Sequence, residues 1–127
     1  MLKNYILLID DDDLCREAIQ MMLEAIGFDV LTASDGKEGL EIFHNNDVKM
    51  VITDIIMPEK DGLEVLQELR LKNINLPVLA ISGGSLNLTS DFNNNLAKMF
   101  GATATLKKPF LKKDLYQIVQ PIMNSAS

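Results

Sequence analysis

Short, mostly apolar runs alternate along the chain with longer stretches whose apolar residues recur at helical spacing. The short runs predict strands, at residues 5–9, 29–33, 49–53, 77–81 and 103–106. The longer stretches predict helices, at residues 13–26, 35–45, 62–72, 91–100 and 112–123. Gly27 is expected to end the first helix, and Pro121 is expected to break the last helix or end it early.

The repeated alternation of strand and helix predicts an α/β fold. We expect a five-stranded parallel sheet, doubly wound, with helices on both faces. In open sheets of this kind, ligands bind beyond the carboxyl ends of the strands, where the winding direction reverses. Residues at those strand ends are therefore the first candidates for a functional site.

The size and charge of the chain narrow the possible functions. With 127 residues, 47% of them hydrophobic, the chain is expected to form one folded domain. Its net charge of -6 argues against nucleic acid or an anionic membrane as a direct partner, because both attract basic faces. Cys15 is the only cysteine, so no internal disulfide can form, and the longest apolar run near the start is too short for membrane insertion. We therefore expect a cytoplasmic protein.

Aspartates follow two of the predicted strands. Residues 10–13 are all aspartate and come directly after the first strand, and Asp54 comes directly after the third. If those strands are neighbours, the carboxylates converge and must bind protons or a cation. Oxygen ligands of this kind suit Mg²⁺ and an accompanying phosphate. The alternative is that residues 10–13 only cap a helix, whose N-terminus favours negative charge.

A hydroxyl and a cation stand at two further strand ends. Ser82 follows the fourth strand, and Lys108 follows the fifth, immediately before Pro109. Taken singly, a serine in Ser-Gly-Gly more often begins a turn, and a lysine in a Lys-Lys pair is more often solvated. Acids, a hydroxyl and a cation at four strand ends of one predicted sheet nevertheless favour a site that handles a phosphoryl group.

Four stretches, LLIDDDD, VITDIIMPEKDG, PVLAISGG and LKKPF, occur in this order and resemble the receiver domains of two-component response regulators (CheY-like). The resemblance extends from Tyr5 to about residue 123. It implies a flavodoxin-like strand order 2-1-3-4-5. It also implies a single receiver domain over residues 1–127, with its core at about 5–123 and a short C-terminal tail.

The resemblance also implies roles for individual residues. Asp54 matches the aspartate that accepts the phosphoryl group, Ser82 the residue that hydrogen-bonds it, and Lys108 the lysine that pairs with it. For Mg²⁺, the resemblance implies Asp11 and Asp54 as ligands, Asp10 as a ligand through water, and the backbone carbonyl of Ile56 as a further ligand. The implied site therefore comprises six residues: Asp10, Asp11, Asp54, Ile56, Ser82 and Lys108.

A receiver of this kind takes its phosphoryl group from a histidine kinase or a histidine phosphotransfer protein. It acts on a downstream effector or on a covalently linked output domain, so the receiver is expected either to stand alone or to be a piece of a longer chain. It catalyses its own phosphorylation and dephosphorylation and does not turn over an external substrate.

Two other functions stay open. One is a Mg²⁺-dependent phosphohydrolase related to haloacid dehalogenases, which Asp10-x-Asp12-x-Leu14 resembles only in part. The other is an interaction module that has lost phosphorylation.

Three positions depart from the receiver pattern. Thr105 stands where an aromatic switch residue is common, and Asp13 stands where proline or a small residue is common. We interpret Asp13 as a helix N-cap. The stretch between Ser82 and Gly101 is longer than usual, and Gly83 and Gly84 begin it. Because an aromatic switch is absent, we expect phosphorylation to reorder residues 83–92.

Overall fold

The computed structural model describes residues 4–55, 62–73, 75–82, 98 and 101–125. The strands are β1 (Tyr5–Ile9), β2 (Asp29–Ala33), β3 (Val48–Asp54), β4 (Val78–Ser82) and β5 (Ala104–Lys107). The helices are α1 (Asp13–Ala25), α2 (Gly36–Asn45), α3 (Gly62–Lys72) and α4 (Lys112–Asn124). Apart from Lys98, the helix predicted at 91–100 lies outside the described residues, as do residues 83–92.

The strands form one parallel sheet in the order β2-β1-β3-β4-β5, so the predicted fold class and the implied strand order are confirmed. The winding direction reverses between β1 and β3. Ile9 pairs with Thr53 across these two strands, so Asp10 and Asp54 follow at neighbouring positions on the same edge. The register therefore brings together the acids that the sequence places far apart.

Side chains that alternate along the strands form two cores, one on each face of the sheet. Ile6 and Leu8 of β1 point to the face covered by α1 and α4, whereas Leu7 and Ile9 point to the face covered by α2 and α3. All four side chains have no more than 1% of their surface exposed. A parallel strand covered by helices on both faces must be apolar throughout, which explains the run YILLI.

Local hydrogen bonds end α1 at Gly27, as the sequence predicts, and begin α2 one residue after its predicted start. Gly27 has a φ of +95°, which favours glycine. The N–H of Gly27 donates to Glu24 O, and the N–H of Phe28 donates to Leu23 O, which is the Schellman arrangement. Asp35 caps α2, because its Oδ1 accepts from the N–H of Glu38 at 2.8 Å.

Pro121 does not break α4, so the expectation of a broken or shortened helix is wrong. The helix is continuous to Asn124, beyond the proline. Proline removes one helical hydrogen bond. Burial of Met123 against the core, beside the partly buried Ile122, offsets that loss and holds the last turn in place. Among the described residues, no helix is long and apolar enough to span a membrane.

Gly39 brings α2 into close contact with β1, and a larger residue there is expected to destabilise the fold. A Cβ at this position would overlap Ile9 Cδ1 and lie 2.8 Å from Ile9 Cγ1. Alanine favours the helix by about 1 kcal/mol, but overpacking costs about 1–3 kcal/mol. We therefore expect Gly39→Ala to lower the free energy of unfolding in urea denaturation.

The matched control for this prediction is Glu41→Ala at an exposed position of the same helix, which should change the free energy of unfolding by less than about 0.5 kcal/mol. Adding Ile9→Val to Gly39→Ala removes the overlapping methyl group. The double variant should therefore be more stable than the sum of the single effects predicts. Strict additivity would contradict the proposed overlap.

Candidate functional site

The candidate site lies at the carboxyl edge of the sheet, where main-chain pairing continues one residue past the strands. The N–H of Asp10 donates to Ala33 O at 3.1 Å, and that of Lys108 donates to Ser82 O at 2.8 Å. These bonds fix the Cα positions of both residues relative to the neighbouring strands. The side chains therefore project from a rigid backbone, which a site of defined geometry needs.

An acidic cluster forms at this edge. Asp10, Asp11 and Asp54 each offer one carboxylate oxygen, and the three atoms lie within 4.8 Å of one another. Asp10 is 1% exposed and Asp54 is 8% exposed, whereas Asp11 is exposed. Burial of two neighbouring carboxylates is unfavourable without a compensating cation. The predicted convergence of these acids is present in the structure.

Lys108 supplies that cation within the protein. Its Nζ lies 3.2 Å from Asp10 Oδ2 and 3.1 Å from Asp54 Oδ2, so one ammonium bridges the two buried acids. Burial alone lowers the pKa of Lys108, but the Asp54 and Asp10 carboxylates outweigh it and raise that pKa above its ordinary value. The lysine therefore remains charged at physiological pH.

The four consecutive aspartates have different local roles. Asp10 Oδ1 accepts from the N–H of Asp12 at 2.9 Å. Asp12 Oδ1 accepts from the N–H groups of Leu14 and Cys15, so Asp12 is the N-cap of α1.

The interpretation of Asp13 as the N-cap is therefore wrong. Asp13 is already in the helix and pairs with Arg16, three residues later. In the described parts of the chain, the exposed Asp11 carboxylate makes no hydrogen bond or ion pair. Residues 10–13 thus contribute both a helix cap and two members of the acidic cluster, Asp10 and Asp11.

Arg16 is a residue near the site that the sequence analysis did not identify. Its Nη1 donates to the backbone carbonyl of Asp10 at 2.8 Å. The spacing of Asp13 and Arg16 at i, i+3 on a predicted helix was the signal that could have indicated the ion pair. The bond to Asp10 had no sequence signal, because it depends on how the loop before α1 folds.

Of the remaining predicted positions, Ser82 and Thr105 lie in strands that the structure describes, whereas Ile56 does not. Ser82 is the last residue of β4, is 1% exposed, and stands beside β3 at the same edge as Asp54. Thr105 is half-buried in β5 and pairs with Ala80. Ile56 lies outside the described residues, so its carbonyl remains a prediction.

Cys15 connects the site to an open groove beside α1. The groove has a volume of about 490 Å³, and its lining includes Cys15, Met22, Lys108 and Phe110. Burial raises the pKa of the Cys15 thiol, and the nearby Asp10 carboxylate raises it further. The thiol is therefore protonated at neutral pH and is a poor nucleophile.

A parallel sheet in this order, with helices on both faces, defines a CheY-like α/β domain. Residues 6–120 match the response regulator receiver domain family, and the chain belongs to that family. Receiver domains of response regulators are the phosphoacceptor class of two-component signalling proteins, which agrees with a strand-end site of acids and lysine.

Comparison with known proteins supports this assignment. The chain is 34% identical over 97% of its length to a probable transcriptional regulator ycf27 of Porphyridium aerugineum. It is 30% identical over 93% of its length to the alkaline phosphatase synthesis transcriptional regulatory protein PhoP of Bacillus subtilis. It covers 49% and 48% of these two proteins, so it spans about half the length of the relatives it matches.

A solved structure extends the comparison to three dimensions. A response regulator receiver domain protein from Clostridium thermocellum aligns with a TM-score of 0.86 and 34% identity. The alignment covers 96% of this chain and 95% of that protein. The structural similarity thus extends over nearly the whole of both chains.

The acidic cluster fits a divalent metal ion. Its donors are all carboxylate oxygens, the ligand type that hard cations such as Mg²⁺ prefer. One member is exposed and two are buried, so an ion at the cluster would meet both protein oxygens and solvent.

Removal of Lys108 should destabilise the metal-free protein. Lys108→Met leaves two buried carboxylates without their shared cation. We expect the free energy of unfolding in EDTA to fall by about 1–3 kcal/mol. Lys107→Met, at the exposed neighbouring position, is the matched control and should change it by less than about 0.5 kcal/mol. Equal effects of the two variants in chemical denaturation would contradict the bridging role of Lys108.

Proposed function

We propose that this receiver domain accepts a phosphoryl group on Asp54 in a Mg²⁺-dependent reaction. The observation that supports this most directly is the position of Asp54. It ends a buried strand, belongs to the acidic cluster, and lies 3.1 Å from the ammonium of Lys108. A carboxylate in this position can act as a nucleophile. The adjacent lysine can neutralise charge on the incoming phosphoryl group.

The proposed reaction is an in-line displacement at phosphorus. A carboxylate oxygen of Asp54 forms a bond to phosphorus as the bond from phosphorus to a histidine nitrogen of the donor breaks. The electron pair of that bond stays with the imidazole. Lys108 neutralises charge that spreads over the phosphoryl oxygens. The product is an acyl phosphate, which adds a charge of about -1.5 to -2 if it resembles other phosphorylated side chains.

Ser82 and Lys108 are proposed to hold the transferred group. Ser82 is buried at the end of β4, next to the strand that carries Asp54, and this position supports a role for its hydroxyl as a donor to a phosphoryl oxygen. Lys108 already contacts Asp54 Oδ2 and is placed to move its hydrogen bond to the phosphoryl group. Both residues thereby favour the phosphorylated state after transfer.

Asp11, Asp10 and Asp54 are the side chains proposed to hold Mg²⁺, with the Ile56 carbonyl as a further ligand. When bound, the ion neutralises charge on the phosphoryl group and orients its oxygens. Asp10 already bonds the N–H of Asp12 and the ammonium of Lys108. This arrangement favours contact through water for Asp10 and direct contact for the exposed Asp11.

The proposed phosphoryl donor is a phosphohistidine on a histidine kinase or a histidine phosphotransfer protein. After transfer, water attacks phosphorus, the bond from phosphorus to the Asp54 oxygen breaks, and inorganic phosphate leaves, so the domain is proposed to catalyse its own phosphorylation and dephosphorylation. The family assignment favours this over a phosphohydrolase that turns over an external substrate. It also favours a working receiver over an interaction module that has lost phosphorylation, because the acids and Lys108 are together in the structure.

The proposed output is a change in the binding of an effector or of a linked output domain. Regulators such as PhoP extend to about twice the length of this chain, so an output domain in the same polypeptide agrees with those relatives. We further propose that residues 5–123 act as one receiver unit in the cytoplasm, where a kinase would meet it. Residues 83–92 are proposed to reorder on phosphorylation, because Thr105 offers no aromatic ring.

Labelling with acetyl phosphate tests the acceptor. We expect intact-mass spectrometry to show one added phosphoryl group in the presence of Mg²⁺ and none with EDTA. Asp54→Asn should abolish the addition, because an amide oxygen is a poor nucleophile for this reaction. The control is Asp47→Asn, at an exposed position before β3, which should label as the wild type does. If Asp54→Asn is labelled to the same level as the wild type, the assignment of Asp54 as the phosphoryl acceptor is wrong.

Magnesium titration tests the proposed ligands. By calorimetry, Asp11→Ala should raise the dissociation constant of Mg²⁺ by about tenfold or more, and by more than Asp10→Ala does. Asp12→Asn controls for charge, because it removes one negative charge from the same loop and keeps a good N-cap. We expect it to change the constant much less than Asp11→Ala. Equal constants for Asp11→Ala and Asp10→Ala would count against this ranking.

A further inference from the structure

We propose that Arg16 is a positioning residue that orients the metal-binding loop between β1 and α1. This inference rests on the proposed Mg²⁺ site and adds to it a residue that touches neither the ion nor the phosphoryl group. The observations that support it are the two bonds of the Arg16 guanidinium, one to a backbone carbonyl and one to a carboxylate.

The guanidinium of Arg16 connects the first turn of α1 to the end of β1. Its Nη1 donates to Asp10 O at 2.8 Å, and its Nη2 contacts Asp13 Oδ1. The Arg16 side chain is 17% exposed, so the bond to Asp10 is largely shielded from water. A hydrogen bond from a charged donor in such a setting is stronger than one between neutral groups.

The carbonyl that accepts from Arg16 belongs to the peptide group that joins Asp10 to Asp11. The other polar groups of Asp10 are already engaged, because its N–H bonds Ala33 and its carboxylate bonds Asp12 and Lys108. The Asp11 carboxylate makes no hydrogen bond within the described residues. The orientation of that peptide therefore decides where the Asp11 side chain points.

Asp13 holds the guanidinium in the orientation that this bond requires. An ion pair with a carboxylate as exposed as Asp13 contributes little to stability. The ion pair instead fixes the orientation of Arg16, because the planar guanidinium can donate to a carboxylate and to a carbonyl at the same time. Lysine has one point charge and cannot reproduce this arrangement.

An Arg16 that orients the loop and an Arg16 that acts only through its charge predict opposite changes in Mg²⁺ affinity when the residue is replaced. A cation beside a dication site repels the ion, so removing the arginine charge alone should tighten Mg²⁺ binding. Loss of a residue that orients a metal ligand should weaken Mg²⁺ binding, by about tenfold for partners of this type. The direction of the change in affinity therefore separates the two roles.

The experiment measures the dissociation constant of Mg²⁺ by calorimetry for the wild type, Arg16→Gln and Arg16→Lys. We expect both variants to raise it about tenfold. Arg70→Gln is the matched control. Arg70 also donates to a backbone carbonyl, at 2.9 and 2.7 Å from Gly101 O, but it does so at the opposite edge of the sheet. It should lower stability and leave the Mg²⁺ constant unchanged.

Thermal unfolding in EDTA and circular dichroism show whether each variant is folded. Weaker binding in folded Arg16→Gln and Arg16→Lys supports the proposal. Unchanged or tighter binding in Arg16→Gln, or a wild-type constant in Arg16→Lys, overturns it. Absence of Mg²⁺ binding in the wild type would overturn the proposed metal site itself, and the role of Arg16 with it.

Discussion

The structure depends on the close approach of two buried carboxylates, Asp10 and Asp54, bridged by the ammonium of Lys108. Burial of these acids without a cation is unfavourable, by about 1–3 kcal/mol of stability for loss of the shared ammonium. The residues that meet here come from three strands separated by most of the chain. The register of the sheet therefore determines the charge balance of the site, and a shift of one position would separate the pair.

The apolar sheet provides the rigidity that this charge arrangement needs. Ile6 to Ile9 are buried on both faces, so the end of β1 has little freedom. The loop beyond it is held by its own polar contacts, with Asp12 capping α1 and Arg16 bonded to the Asp10 carbonyl. Asp11 alone among these acids stays exposed and without a described partner. Rigid neighbours and one accessible carboxylate suit a site that must admit an ion and a phosphoryl group.

Much of this arrangement follows from the sequence, and the remainder depends on tertiary contacts. Apolar runs that end in Asp, Ser or Lys predict buried strands with polar ends, and the receiver resemblance supplies their order. The predicted start of α1 at residue 13 is correct, but its N-cap was misassigned by one residue, because Asp12 and Asp13 are equally good caps and only the loop geometry decides between them. Pro121 was misjudged because packing of Met123 outweighs one lost hydrogen bond.

Locating the phosphoryl group on the chain tests the central claim most directly. The protein is phosphorylated with Mg²⁺ by a phosphohistidine donor and reduced with borohydride, which converts an aspartyl phosphate into homoserine. Peptide mapping by mass spectrometry then locates the reduced residue. The account predicts conversion of Asp54 and of no other aspartate. Conversion of Asp10 or Asp11, or a phosphoryl group that resists borohydride, would contradict it.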